Sequence, residues 1–494
     1  MEEAKKRNRD HIEAILNSDA STRPHSAYKV ILDELVSIYK SNIRPLEDAY
    51  KFFHLKRRYN PLSDIHAKPS LLVLGPRSSG KTSMINYILG LEGPHALRVG
   101  VDPTSSDFVI IDHGRRRKML PGTALLADES KPYSALAKYG MNLAANLHGA
   151  EFPVKVLNHL TVIDSPGIME NSDQQMQGHH YIEVCQWFIS RASLIFFVFD
   201  SSKLDAGKQL REVFRRLKGH EGKLRIILNK ADNTDGEVLL RNYGAFCWNL
   251  KGLIPNLADL PRVYLVSCWS KPYEDVQYRD VLVTEENLLV QDIQETIDTR
   301  CEAVITSLLA YALSVETHAI IVDAYLNAYD DHKHSWLRWK NGALQSDLVD
   351  CPDLFNIPQR VGAKTSNHEG FLNVHVYRQF FLANPICTFY RASHGRNGVI
   401  FSGATVLEKA QEAIRTTIPN LLAKQRAIRT ESLVNGSHKP EANGMGILSN
   451  TMKNMLSPRK QLRTLLDKSP LSSSWIPSPL GFVTEKVQSA LKSY

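Results

Sequence analysis

Between residues 71 and 266 the chain alternates short, strongly apolar runs with longer polar or amphipathic stretches. The runs are rich in Leu, Ile, Val and Phe, which is typical of strands buried on both faces. Stretches long enough for helices separate most of them, and this order predicts a largely parallel sheet with helices on both faces. The predicted strands are 71–74, 108–111, 160–163, 194–199, 224–228 and 263–266.

Helical periodicity dominates on either side of this region. From about residue 5 to 50, apolar residues such as Ile31, Leu35 and Ile38 recur three and four positions apart, with a break near Pro24. The chain again has a mainly helical pattern from 284 to about 422, and beyond that Gly, Ser, Pro and Lys become frequent. We therefore predict four segments: helical 1–68, α/β 69–283, helical 284–422, and a flexible basic tail over 423–494.

Composition narrows the class of protein. With 494 residues, 43% hydrophobic and 23% charged, the chain is long enough for two or three domains of soluble type, and its apolar runs are too short to span a bilayer.

The first residues lack the apolar stretch of a secretory signal, and the six cysteines have no C-x-x-C spacing, so we expect a cytoplasmic protein with reduced thiols. Of the net charge of +8, +7 lies beyond residue 421, so we expect no nucleic-acid partner.

The most specific motif follows the first predicted strand. Residues 75–82, Gly-Pro-Arg-Ser-Ser-Gly-Lys-Thr, fit the phosphate-loop pattern G-x-x-x-x-G-K-[ST], and an amphipathic helical stretch comes after them. Backbone N–H groups of such a loop and the positive end of the helix bind phosphates. Lys81 is predicted to reach the β- and γ-phosphates and is a candidate catalytic residue, while the Thr82 hydroxyl is predicted to ligate Mg²⁺. The candidate phosphate-binding residues are Gly75, Ser78, Ser79, Gly80, Lys81 and Thr82.

A second motif, Asp-Ser-Pro-Gly at 164–167, ends the strand predicted over 160–163. At that position Asp164 can hold Mg²⁺ directly or through water, and the Gly167 N–H can contact a γ-phosphate. The same four residues also make a good turn. Their place after a later strand favours the functional interpretation.

A third motif, Asn229-Lys230-Ala231-Asp232, follows the strand predicted over 224–228. The Asp232 carboxylate can accept two hydrogen bonds from the N1–H and N2 amine of guanine, donors that adenine lacks at those positions. Trp269, just after the next predicted strand, could either stack on the purine or pack in the interior.

A candidate switch precedes the strand predicted over 108–111. Hydroxyls of Thr104 and Ser105 could meet Mg²⁺ and the γ-phosphate and become ordered only with triphosphate bound. We name both as candidate catalytic residues and Ser105 as a candidate metal ligand, with Thr82 and Asp164. By itself the stretch is only a turn before a strand.

Together these motifs resemble the dynamin-like EH-domain-containing (EHD) ATPases and the related sarcalumenin group, over roughly residues 28–422. The resemblance extends to stretches outside the nucleotide motifs: 44–47, 121–125, 185–188, 225–232 and 243–246. Pro76, the pair His318-Ala319 and residues 384–386 are most similar to sarcalumenin. The resemblance implies a P-loop G domain packed on an α-helical domain built from both flanks, with nucleotide-dependent self-assembly on membranes.

The chain departs from this family in ways that change the expected function. No EH domain follows the helical region, so binding of Asn-Pro-Phe peptides is not expected, and the sarcalumenin acidic segment is absent. Ser105 replaces the family's usual switch threonine and Arg77 occupies a variable loop position, so hydrolysis is expected to be slow. The identity of the nucleobase stays open, because Asp232 favours GTP whereas the resemblance implies ATP.

Two stretches could contact a membrane. Residues 330–340 combine Trp336 and Trp339 with Lys333, Arg338 and Lys340, a combination suited to anionic lipid; the alternative is a loop whose tryptophans cover the core. In the tail, methionines at helical spacing lie near basic residues and could form a weak surface-seeking helix, or the tail is inert.

The sequence therefore predicts a Mg²⁺-dependent GTPase or ATPase that self-assembles and is peripheral on membranes in the cytoplasm. The alternative is a nucleotide-binding switch or scaffold with little hydrolysis.

Overall fold

The computed structural model of the chain describes residues 6–17, 25–55, 61–93, 96–97, 107–128, 131–168, 181–203, 208–253, 261–273, 278–332, 343–362, 374–386, 389 and 405–436. These fall into two compact units. The first comprises the described residues of Met1–Ser21 and Ala67–Arg300, and the second those of Thr22–His66 and Cys301–Tyr494.

An eight-stranded sheet, in the order β3-β4-β2-β5-β1-β6-β7-β8, forms the centre of the first unit. Strands β5, β1, β6, β7 and β8 are parallel neighbours, β2 pairs parallel with β4, and the pairs β2–β5 and β3–β4 are antiparallel. All six predicted strands are present, whereas β3 and β4 were not predicted. The strands are β1 (Ser70–Leu74), β2 (Phe108–His113), β3 (Lys118–Pro121), β4 (Leu147–Phe152), β5 (Thr161–Asp164), β6 (Leu194–Asp200), β7 (Leu224–Asn229) and β8 (Val263–Leu265).

The α-helices of the described chain are, in order, α1 (Asp10–Asn17), α2 (His25–Ile38), α3 (Arg44–Ala49), α4 (Phe52–Leu55), α5 (Pro61–His66), α6 (Lys81–Leu89), α7 (Gly122–Ala127), α8 (Gly140–Ala145), α9 (Tyr181–Arg191), α10 (Lys208–Arg216), α11 (Gly236–Leu253), α12 (Arg279–Asp298), α13 (Arg300–His332), α14 (Ala343–Asp350), α15 (Ile357–Gly362), α16 (Val374–Ala383), α17 (Val406–Glu412) and α18 (Ile418–Gly436). Short π-helical turns, Tyr39–Ile43 and Ala413–Thr417, precede α3 and α18.

Both faces of the sheet are buried, as strand alternation requires. In β1, Leu71 and Val73 pack into a core with residues of α1, α6 and α12, while Leu72 and Leu74 pack into a second core with α9, α10 and α11. The first unit is therefore a three-layer α/β/α domain, as its apolar runs predicted.

The second unit is helical and is organised around α13. That helix has 33 residues and is apolar on every side, which is typical of a helix enclosed by others. Among the described residues it alone is long and apolar enough to cross a membrane, but 83% of its most apolar window is buried inside the protein. Helices from before and after the sheet domain supply its partners, including Ile31, Leu46, Phe381 and Ile414.

The two compact units differ from the four predicted segments at three places. Helix α1 groups with the sheet domain, although we predicted it within the helical segment 1–68. Helix α12 crosses the predicted boundary at 283/284 and also belongs to the sheet domain, because its residues Leu289, Val290 and Ile293 pack on the sheet. Helix α18 continues to Gly436, past the predicted start of the tail at 423.

Candidate nucleotide-binding site

The predicted site residues lie at one edge of the sheet. Strands β1, β5, β7 and β8 run parallel, so their carboxyl ends share that edge, where open α/β sheets bind ligands. Each of these strands is followed by one predicted group: the phosphate loop after β1, Asp164 and Gly167 at the end of β5, Asn229-Lys230-Ala231-Asp232 at the end of β7, and Trp269 shortly after β8. The topology therefore brings together four groups that are far apart in sequence.

The phosphate loop has a backbone that only particular residues can adopt. Gly75 has φ +147°, and a Cβ there would lie 2.1 Å from the Val198 carbonyl oxygen. Gly80 caps α6 in the left-handed region, and Ser78 is also left-handed at φ 61°. Helix α6 begins at Lys81, which directs its positive end towards the loop.

Lys81 is folded back onto its own loop. Its Nζ donates hydrogen bonds to the carbonyl oxygens of Gly75 at 3.0 Å and Pro76 at 2.9 Å, and the residue is only 7% exposed. Burial lowers the pKa of Lys81 to about 8, and the nearby Asp164 carboxylate opposes that shift. The ammonium group is thus held where phosphates would bind, with carbonyl oxygens as its only hydrogen-bond acceptors among the described residues.

Thr82 and Asp164 form a pair below the loop. The Thr82 hydroxyl donates to Asp164 Oδ2 at 2.6 Å, while Asp164 Oδ1 is buried and has no hydrogen-bond partner within the described chain. Burial raises the pKa of Asp164, and the Thr82 hydrogen bond and the Lys81 charge partly counter this. A buried carboxylate oxygen without a partner is costly unless something else binds it, and Mg²⁺ prefers such oxygen ligands.

Gly167 lies against the phosphate loop, and contact between its N–H and a γ-phosphate stays a prediction. A Cβ at Gly167 would lie 2.7 Å from Arg77 Cα, so the glycine allows close backbone packing against the phosphate loop. Next to it, Ile168 N donates to Gly75 O at 3.1 Å and Arg77 N donates to Ile168 O at 3.3 Å. The segment after β5 is therefore hydrogen-bonded along the loop.

Asn229 and Lys230 connect the base motif to the phosphate loop. Asn229 Nδ2 donates to Ser79 O at 3.2 Å, and its Oδ1 accepts from the Cys268 N–H at 3.0 Å. Lys230, left-handed at φ 59°, donates through Nζ to Ser78 O and to Asp200 Oδ2, both at 2.7 Å. These two side chains fix the loops after β7 and β8 relative to the phosphate loop.

The Asp232 carboxylate has an oxygen available to accept a hydrogen bond from the N–H groups of a nucleobase. Its Oδ1 is buried and has no hydrogen-bond partner among the residues described. The backbone around it is held by Tyr278, whose hydroxyl donates to Ala231 O at 2.9 Å and also to Thr234 O. Trp269 is 36% exposed and its ring lies 4.8 Å from Lys271 Nζ, so base stacking by this residue stays a prediction.

Two features of this site were missed in the sequence. Asp200, the partner of Lys230, directly follows the apolar run of β6, and an acidic residue at the carboxyl end of a central strand was the available signal. Arg7 contacts the loop after β8 and pairs with Glu286. These two residues come from opposite ends of the first unit, and no local pattern links them. Thr104, Ser105, Trp336 and Trp339 lie outside the described residues.

No set of three or more His, Cys, Asp and Glu side chains in the described part of the chain is grouped to hold a metal ion by itself. A phosphate-loop Mg²⁺ needs none, because it takes most of its ligands from phosphates and water.

The fold and these contacts define a P-loop nucleotide-binding G domain joined to a helical unit. Residues 71–231 match the model described as "Dynamin family", and residues 34–64 match the model described as "N-terminal EH-domain containing protein". The chain is 33% identical over 309 residues to EH domain-containing protein 3 of Mus musculus, covering 62% of this chain and 57% of that protein. It is 35% identical over 297 residues to EH domain-containing protein 2 of Rattus norvegicus, covering 60% and 54%. The chain is therefore similar to the EH domain-containing proteins over about 60% of its own length, and it spans just over half of theirs.

Solved structures are similar only in general outline. An oligomerised bacterial dynamin pair is matched over 97% of this chain and 82% of that one, at 11% identity and a TM-score of 0.33. Toc33 from Arabidopsis thaliana, in complex with GDP and Mg²⁺, is matched over 53% and 95% at 14% identity and a TM-score of 0.28. Similarity at this level has no bearing on the activity of this chain.

Proposed function

We propose that the chain binds a nucleoside triphosphate together with Mg²⁺ and hydrolyses it slowly while bound to a membrane surface. The observation that carries the proposal is the arrangement of Lys81, Thr82 and Asp164: a buried ammonium on loop carbonyls beside a buried carboxylate with one unpartnered oxygen. A triphosphate with Mg²⁺ satisfies both groups at once.

In this proposal each group has a separate role. The Thr82 hydroxyl and Asp164, directly or through water, hold Mg²⁺, and the ion supplies charge neutralisation to the β- and γ-phosphates. Lys81 moves its donors from the carbonyls of Gly75 and Pro76 to phosphate oxygens. Loop N–H groups and the start of α6 bind the remaining phosphate charge.

Whether the site prefers guanine or adenine depends on the part of the site around Asp232. The unpartnered carboxylate oxygen is matched to guanine, whereas the relation to the EH-domain-containing ATPases favours ATP. Calorimetric titration of GTP and of ATP, each against wild type and Asp232→Ala, tests both. Guanine recognition requires a preference for GTP that Asp232→Ala removes; if ATP binds more tightly and the substitution changes nothing, the guanine interpretation is wrong.

Membrane association and hydrolysis are tested together. Single-turnover hydrolysis measured with and without anionic liposomes should show stimulation by the liposomes, and Trp336→Ala/Trp339→Ala should reduce sedimentation with them. If wild type binds nucleotide and liposomes but no phosphate is released above the rate of Lys81→Ala, the alternative of a nucleotide-binding switch with little hydrolysis is correct.

Self-assembly is proposed through the exposed face of α11, the helix that follows the base motif. Leu240 is 72% and Trp248 78% exposed there, with the small exposed residues Gly244 and Ala245 between them. Exposed large apolar side chains around small ones suit close helix contact, and a twofold contact between copies uses one such face twice.

The test of this face is molar mass in solution, measured across a concentration series with and without nucleotide. Trp248→Glu should shift the chain to the monomer. Met141→Glu, at a methionine 74% exposed on α8 of the same unit, is the control and should leave the mass unchanged. An unchanged mass for Trp248→Glu would exclude this face.

A further inference from the structure

The segment before α1 crosses the loop that follows β8, and Arg7 makes the contact. The Arg7 side chain is 8% exposed, and its NH1 donates to Ser267 O at 2.5 Å. Its backbone N–H donates to Ser270 O at 3.0 Å. One residue from the start of the chain therefore holds both ends of residues 267–270, the loop that carries Trp269.

A buried set of side chains fixes Arg7 in this place. Its guanidinium carbon lies 3.6 Å from the ring centre of Tyr273, and NH1 lies 3.5 Å from Glu286 Oε2. Glu286, only 2% exposed, also accepts from the Tyr87 hydroxyl at 2.8 Å and contacts His11 Nε2 at 2.9 Å. A planar guanidinium stacked on one ring and paired with a buried carboxylate has little freedom to move.

The peptide unit between Ser267 and Cys268 is held from both sides. Its carbonyl accepts from Arg7, and its N–H donates to Asn229 Oδ1 at 3.0 Å. Asn229 in turn donates to Ser79 O in the phosphate loop. A continuous path of hydrogen bonds thus joins the N-terminal segment, the loop after β8, the base motif and the phosphate loop.

We propose that Arg7 is a positioning residue for the base half of the nucleotide site. It orients the peptide at 267–268 so that Asn229 and the loop carrying Trp269 are set before the nucleotide arrives, which reduces the ordering cost of binding the base. The contacts of Arg7 with Ser267 and Ser270 lie in the loop after β8, and its path to the phosphate loop runs only through Asn229, so we expect its main contribution in the base half. The inference rests on the proposed function, since it names a determinant of that same site.

The test compares nucleotide with a ligand that has no base. The dissociation constants of GTP, ATP and inorganic tripolyphosphate are measured by calorimetry for wild type, Arg7→Ala and Arg9→Ala. Arg9 is a matched control: it lies two positions away and binds the carbonyls of Tyr87 and Ile88 at 2.6 and 2.9 Å, not the loop after β8.

Arg7→Ala should weaken the preferred nucleotide about tenfold, the value of one hydrogen bond to a charged group, while tripolyphosphate binding changes by less than about twofold. Arg7→Lys, which keeps the charge but not the planar stacking, should restore about a third of the affinity lost. Arg9→Ala should leave both ligands unaffected.

Three results would overturn the inference. Equal loss for nucleotide and tripolyphosphate indicates a general structural defect, and an Arg9→Ala effect as large as that of Arg7→Ala indicates loss of the whole segment. Unchanged nucleotide affinity in Arg7→Ala removes the positioning role while leaving the proposed function intact. If wild type binds neither GTP nor ATP, the proposed function itself is wrong, and the inference about Arg7 is wrong with it.

Removing Arg7 alone leaves the Glu286 carboxylate buried without this cation, which can prevent folding. In that case Arg7→Met/Glu286→Gln carries the same test, because it removes both charges while the glutamine oxygen still accepts from Tyr87. The same selective loss of nucleotide affinity is expected, and equal binding to wild type would contradict the inference.

Discussion

The phosphate half and the base half of the site are stabilised in different ways. On the phosphate side, Lys81 binds carbonyls five and six positions before it, and Ser79 Oγ donates to Pro76 O. The loop backbone also hydrogen-bonds to Ile168, Asn229 and Lys230, but the Lys81 cation is oriented within its own loop, and in that sense the phosphate half is self-contained. On the base side, Asn229 and Asp232 depend on residues from the loop after β8 and from Tyr278, and Arg7 contacts that loop in turn. A self-contained loop tolerates changes elsewhere in the fold, whereas the base half is sensitive to several distant residues.

Lys81→Ala should have the largest effect, because it removes the cation from the self-contained half. Losing two charge-assisted hydrogen bonds weakens both nucleotide and tripolyphosphate by about a hundredfold. Calorimetry with both ligands measures the effect, and circular dichroism checks that the fold is intact. If tripolyphosphate binding survives, the phosphate half does not depend on Lys81 as proposed.

Asp232→Ala should affect only the base half. If guanine is the base, GTP weakens about thirtyfold with the loss of the carboxylate acceptor, while tripolyphosphate is unchanged within about twofold. Asp235→Ala is a control on the same loop, three residues further along and exposed. A loss shared by tripolyphosphate would show that the two halves are not separable.

The same contrast explains what the sequence revealed about the site. The phosphate loop could be recognised because its function needs a fixed local spacing, and its place between β1 and α6 follows from the flanking pattern. Asp164 and Asn229 could be placed because parallel strands end at one edge. Arg7 and Glu286 could not, since they are 279 positions apart and are joined only by packing.

The fold shows a similar division. The six strands predicted from apolar runs are present, since strands buried on both faces leave continuous hydrophobic sequence. Strand β3 at the edge was missed because Lys118 and Met119 are exposed, and β4 because Gly149 interrupts its apolar pattern. Helix α12 was assigned to the wrong unit because periodicity identifies a helix but not which core it contacts.

A change of pH should act on the phosphate half alone. The pKa of Lys81 is lowered to about 8 by burial, and triphosphate needs the charged form, so affinity falls as the pH rises above 8. Between pH 7 and pH 9 the loss should be roughly tenfold, equally for nucleotide and tripolyphosphate. Lys81→Arg, which stays charged, should give a flat profile over the same range, and a parallel decline in that variant would assign the titration to another group.

The smallest expected effect tests the link between the two halves. Lys230 Nζ donates both to Ser78 O in the phosphate loop and to Asp200 Oδ2. Burial alone would raise the pKa of Asp200, but the ion pair with Lys230 and the hydrogen bonds from Ser202 hold that pKa below its usual value. Asp200→Asn keeps the shape but removes the charge, so Lys230 is held less firmly. Because the pair is partly exposed, about a threefold loss of nucleotide affinity is expected, with tripolyphosphate unchanged. Asp112→Asn, which removes a carboxylate paired with Lys68 in the same unit, is the control and should have no effect. A larger loss that includes tripolyphosphate would mean that Lys230 stabilises the phosphate loop itself, and the base half would then extend into the half that we describe as self-contained.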